Sequence, residues 1–188
     1  MEIYWGERGQ AYVTPIGREE VCVALISRHR FSSFETGLEQ FPELLEHLSG
    51  AERSTSVRGS LTVSRRLKSV TRGNVALLGE ASGSVDAITG EGLAMAFRQA
   101  LALAHAMVAG DLSSYEKMHR EIINLPGFMA RSMLLLDSKA WLRRRTLRAF
   151  ASKPRLFERL LAVHVGERPL ASLGALELAD LGWHVLRA

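Results

Sequence analysis

Gln10 to Ile16 and Val21 to Ser27 are two largely apolar stretches rich in Tyr, Val, Thr and Ile. Gly17-Arg18-Glu19-Glu20 lies between them, so the pattern predicts an antiparallel hairpin, with Glu2 to Trp5 as a short additional strand. The pattern then changes. Phe34, Leu38, Phe41, Leu44, Leu45 and Leu48 recur at helical spacing behind Ser32-Ser33, which can cap a helix; Pro42 marks a kink and Ser49-Gly50 an end. Residues 53 to 70 read as extended, basic and exposed.

Val75-Ala76-Leu77-Leu78 is wholly apolar, as in a strand buried on both faces within a parallel sheet. A glycine-rich loop runs from Gly79 to Gly92, and a helix follows. Its stripe of Leu93, Ala96, Phe97, Ala100, Leu101, Ala104 and Val108 is the expected buried face, small enough to lie close to a sheet. Gly110-Asp111 stops that helix. Ser113 to Val165 reads as helical with breaks at Pro126-Gly127 and Lys153-Pro154. The expected class is α+β: a partial substrate-type domain over 1–72, a strand, loop and helix over 73–110, and a helical region over 111–188.

Composition narrows the function classes. Of 188 residues, 47% are apolar and 23% charged, which suits a folded globular chain rather than disorder. The net charge of +4 comes largely from one stretch between Arg131 and Arg159, so general nucleic-acid binding has little support. Cys22 is the only cysteine, which excludes an intrachain disulfide and a cysteine-cluster metal site and fits a reducing cytoplasm. Inside a strand it reads as a small core residue. His29, His47, His105, His119, His164 and His184 lack metal-ligand spacing. Trp141, Leu142, Leu147 and Phe150 beside Arg143 to Arg145 and Arg148 read either as a peripheral membrane helix or as a packed helix with a basic face.

The informative chemistry lies between 74 and 93: an apolar strand, an acid at its end, glycines at 79, 83, 90 and 92, then a helix N-terminus. Glycines permit backbone angles and close approaches that side chains forbid. A helix start offers free N–H groups and a positive dipole end to an anion. The segment resembles the second FAD-binding motif of the flavoprotein family that includes para-hydroxybenzoate hydroxylase-type and geranylgeranyl reductase-type enzymes. On that resemblance Gly79 and Glu80 stand for a Gly-Asp pair that holds the ribityl chain, with Ala81 and Gly83 in the following loop. Gly90, Glu91, Gly92 and Leu93 stand for the helix start against the flavin ring. Glu80 is one methylene longer than the usual aspartate, and Ser82-Gly83 and Ile88-Thr89 replace the hydroxylase-type His and Pro.

The resemblance covers about residues 2 to 110 and implies FAD as cofactor, a small apolar or aromatic substrate, and NAD(P)H as a candidate electron donor. Tyr12 and Thr14 share one strand face, read as lining the substrate pocket or as ordinary sheet packing. Glu91 reads equally as a flavin-site residue or as an acid favoured by the helix dipole. Asp86 reads as a loop former, and no side chain stands out as a catalytic acid or base. No Gly-x-Gly-x-x-Gly occurs, so the expectation is a segment without the family's dinucleotide-binding half. The alternative is a truncated or split non-catalytic module that needs a partner chain or self-association, or does not bind FAD alone.

Overall fold

Buried Ala11 and Val13 alternate with Tyr12 and Thr14 along one strand, and this two-residue period sets the first unit. The computed structural model describes residues 1–174, 179 and 181–185, divided into two units, Met1–Ser60 and Leu61–Ala188. In the first unit, β1 (Glu2–Trp5), β2 (Gln10–Pro15) and β3 (Val21–Ile26) form a three-stranded antiparallel sheet in sequence order. Tyr12 faces Ile3 and Ala24, and Thr14 faces Cys22. The predicted hairpin and short third strand are therefore present. Cys22 is exposed, not a core residue, because it shares the face of Thr14 rather than that of Val13.

The predicted helix before Leu48 is two helices, α1 (Phe34–Leu38) and α2 (Pro42–His47). Ser33 caps α1 by accepting the Thr36 amide, whereas Pro42 starts the second helix instead of kinking one. Leu38, Phe41 and Leu44 from this pair bury against Ala11 and Val13, with Tyr4, Val23, Leu25, Phe34 and Leu48 around them.

The second unit begins with irregular, largely exposed chain and three short strands, β4 (Arg65–Arg66), β5 (Thr71–Arg72) and β6 (Val75–Ala76). A fourth, β7 (Gly83–Ser84), pairs antiparallel with β4, and β5 pairs antiparallel with β6. This corrects the expected strand over 75–78. It is two residues long, closes a tight hairpin, and leaves Val75 62% and Leu78 39% exposed. An apolar run that short does not distinguish a doubly covered strand from a hairpin arm.

The helices follow in order: α3 (Gly92–Val108), α4 (Leu112–Ser138), α5 (Ala140–Ser152) and α6 (Pro154–His164). Asp111 caps α4 through the Ser113 amide, and Pro154 opens α6 as expected. Pro126, however, does not break α4; it lies buried inside a continuous helix, where packing offsets the lost backbone hydrogen bond. The predicted face of α3 is also reversed. Met95, Gln99, Ala102 and Ala106 are buried, while Leu93, Phe97, Leu101 and Val108 are exposed. Ala102 and Ala106 let α4 approach closely enough for Tyr115 to sink fully into a core with Val70, Leu77, Leu103, Met118 and Ile122.

Candidate functional site

The glycine loop is built on backbone that only glycine adopts easily. Gly79 has φ +58° and opens a 3₁₀ turn over Gly79–Ser82; Gly90 has φ +70° and closes a second over Ala87–Thr89. Asp86 accepts the Ile88 amide at 3.1 Å, which makes it the loop former expected from sequence. Gly83 differs in purpose. A Cβ there would sit 2.6 Å from the Arg65 carbonyl oxygen, so this glycine lets β7 lie against β4. The first turn rests on α3: a Cβ at Gly79 would lie 3.8 Å from Ala96, and the Gly79 amide donates to Gln99 Oε1 at 2.9 Å.

Beneath the loop runs a buried polar network. Ser82 Oγ lies 2.7 Å from the Gly79 carbonyl, 3.3 Å from Gln99 Oε1 and 2.9 Å from His119 Nε2. A hydroxyl has a single hydrogen, and the shortest contact, to a carbonyl that can only accept, takes it. His119 Nε2–H therefore donates to Ser82, and Nδ1 carries the lone pair. Burial pushes the His119 pKa down; Glu116 opposes this, and Arg120 and Arg66 reinforce it. The pair is not a nucleophile and base, since Ser82 is buried and its proton is committed to Gly79. Scattered spacing in sequence hid His119. The usable signal was Gln99, a polar side chain within the apolar run of α3.

The other predicted site residues divide by environment. Glu80 and Ala81 are exposed, and the Glu80 carbonyl accepts Arg65 at 2.8 Å. The α3 N-terminus has no side-chain cap, and its first intrahelical bond joins the Met95 amide to the Glu91 carbonyl. The amides of Gly92, Leu93 and Ala94 meet no acceptor among the described residues, and a Cβ at Gly90 or Gly92 would touch nothing within 4 Å. The Leu93 side chain is 75% exposed. Glu91 turns its carboxylate toward α6, placing Oε2 3.8 Å from His164 Nδ1, so its side chain does not cap the helix. The donor set thus fits an electron-rich ligand edge at 92–94, with a free carboxylate on the adjoining turn at Glu80. Tyr12 and Thr14 belong to the first unit; Tyr12 donates its hydroxyl to Gln10 Oε1 at 2.8 Å, and Thr14 is exposed.

His119 also lines a cleft of about 280 Å³, together with Arg66, Leu67, Lys68, Val70, Glu116, Arg120 and Ile123. Burial would raise the Glu116 pKa, but the Val70 amide, the Ser69 hydroxyl, Arg120 and the Thr71 hydroxyl outweigh it and bring the value to about 2. The Val70 and Ser69 contacts are 2.9 and 3.0 Å. A lowered carboxylate pKa adds stability above the unfolded value of 4.5 and loses it as pH falls toward about 2. With Arg120 57% exposed, the expected loss is about 1–2 kcal/mol. His119 acts in the same direction from below its ordinary value of 6.5. Denaturant midpoints between pH 7 and pH 2.5 check this. Glu116→Gln should remove most of the dependence below pH 4.5, and an unchanged slope would contradict the arrangement.

Among the described residues, no group of His, Cys, Asp and Glu converges as a metal site, and no helix is long and apolar enough to cross a membrane. No family model, curated protein or solved structure matches this chain.

Proposed function

We propose that this chain is the flavin-closing segment of an FAD-dependent oxidoreductase, either a monooxygenase or a reductase. The observation that carries the reading is the uncapped start of α3, whose amides at Gly92, Leu93 and Ala94 stand open behind a glycine-shaped loop bearing Glu80. Their partial positive charge suits N1 and O2 of a flavin ring, and Glu80 suits the ribityl hydroxyls. FAD, when bound, supplies the redox chemistry. The protein's part is to orient the ring and to present an apolar or aromatic substrate, with the Tyr12 and Thr14 face as the candidate surface. NAD(P)H as donor, a cytoplasmic location and contact of α5 with an anionic membrane belong to the same proposal. Trp141 and Leu147 are exposed on that helix, alongside Arg144.

Gly92→Asp tests the helix start. Nothing lies within 4 Å of a Cβ there, and a carboxylate in the first turn should add about 0.3–1 kcal/mol of stability. It would also set bulk and negative charge against the ring. Flavin fluorescence titrations of the wild type should show FAD and FMN binding within about threefold of each other, because the residues in question meet only their shared part. Gly92→Asp should weaken both at least about tenfold while the melting temperature holds or rises. Equal flavin binding by wild type and variant would remove this assignment.

A second reading, a non-catalytic module completed by a partner chain or a second copy, draws on the exposed apolar face of α3. Leu93, Phe97, Leu101 and Val108 are 75%, 68%, 66% and 91% exposed. No flavin response together with a concentration-dependent sedimentation coefficient would favour it.

A further inference from the structure

The cleft beside His119 adjoins the glycine loop, since Arg66 pairs with Gly83, but no loop residue is in its lining and it has its own chemistry. Arg66, Lys68 and Arg120 bring cations to it from two directions, the first two from the chain around β4 and the third from α4. Glu116 is the carboxylate in its wall, and that charge is already met: Oε2 accepts the Val70 amide and the Ser69 and Thr71 hydroxyls, and Oε1 accepts Arg120. The Arg66 and Lys68 side chains have no carboxylate partner among the described residues. An excess of positive charge therefore faces a concave surface, where field lines concentrate and an anion gains more than on open protein. Two guanidinium planes and an ammonium suit a tetrahedral oxyanion with several acceptor oxygens better than a lone carboxylate. Leu67, Val70 and Ile123 add an apolar wall on which a carbon skeleton can lie.

We propose that this cleft binds the phosphate of a small phosphomonoester, held by Arg66, Lys68 and Arg120 with its organic part against Leu67, Val70 and Ile123. His119 completes the site. Its Nε2 is committed to Ser82, so the edge carrying Nδ1 remains for the ligand, and a bound dianion favours the protonated ring. Burial, and after it Arg120 and Arg66, oppose that protonation and Glu116 favours it; neutralising the arginines removes part of the opposition. The same ring reaches Gly79 through Ser82, so occupancy of the cleft is felt at the glycine loop.

The test compares inorganic phosphate with phenyl phosphate at ionic strength matched by KCl. Phenyl phosphate at a hundredfold excess over its dissociation constant should raise the melting temperature by about 4 °C or more. Inorganic phosphate, which leaves the apolar wall unused, should need higher concentrations. The double variant Arg66→Ser with Lys68→Ser, both exposed positions that should leave the fold intact, should lose the response. Lys68→Glu alone should weaken it at least about tenfold. The His119 ring resonance should titrate at higher pH with ligand than without. Vesicles containing phosphatidic acid separate the sources: competition with phenyl phosphate assigns the site to a lipid headgroup, and its absence to a soluble ester. No shift beyond the KCl control, or equal shifts in wild type and double variant, would overturn the proposal.

Discussion

Tyr115→Ala is expected to destabilise the chain by about 3–5 kcal/mol, the range for removing a buried aromatic ring. Tyr115 is fully buried between α3 and the β5–β6 hairpin, where Val70, Ala102 and Ala106 surround it. The substitution empties a volume that these neighbours cannot refill, because the alanines have no longer rotamers to offer. It also strands the Leu77 carbonyl, which accepts the tyrosine hydroxyl at 2.8 Å. Tyr115→Phe isolates that second loss and should cost about 1 kcal/mol. Urea denaturation of both variants checks the prediction. A loss below about 1 kcal/mol for the alanine variant would mean that the α3–α4 core is not packed as described.

Gly83→Ala should cost about 3 kcal/mol for a different reason. Gly83 has φ +122° and ψ 171°, a region closed to side chains, and an added methyl would press on the Arg65 carbonyl oxygen. The obstructing atom is backbone, so relief means parting β4 from β7. Gly92→Ala is the matched control, since φ there is not positive and no atom lies within 4 Å of the new methyl. It should be neutral or stabilising by up to about 1 kcal/mol. If the two alanine variants melted alike, the distinction between a glycine required by packing and one leaving open space would fail.

These substitutions also show what could be read before the structure. The β2–β3 hairpin was legible because two stretches rich in Tyr, Val, Thr and Ile flank a set of turn residues, with Ala11 and Val13 on the buried face of β2. Gly79, Gly83 and Gly90 were legible because few other residues take their backbone angles, though not which of them faces open space. The α3 face was misread because the helix is apolar nearly all round. The larger side chains, Leu93, Phe97 and Leu101, marked the stripe that stays exposed. The covered stripe is smaller and includes Gln99, whose burial makes sense only once the Gly79 amide is seen to need an acceptor. Pro126 misled in the opposite direction, since local propensity gave way to packing along α4. The cleft was invisible for a topological reason: Arg66 and Lys68 meet Arg120 only when α4 folds back across the short strands.

Cys22 carries a practical consequence. As the sole thiol, exposed on β3 directly across from Thr14, it offers a unique attachment point for a maleimide dye without any mutagenesis. A fluorophore placed there would occupy the same surface as Tyr12 and Thr14. Quenching or displacement by aromatic compounds would then be a direct optical readout of whether that surface receives small molecules.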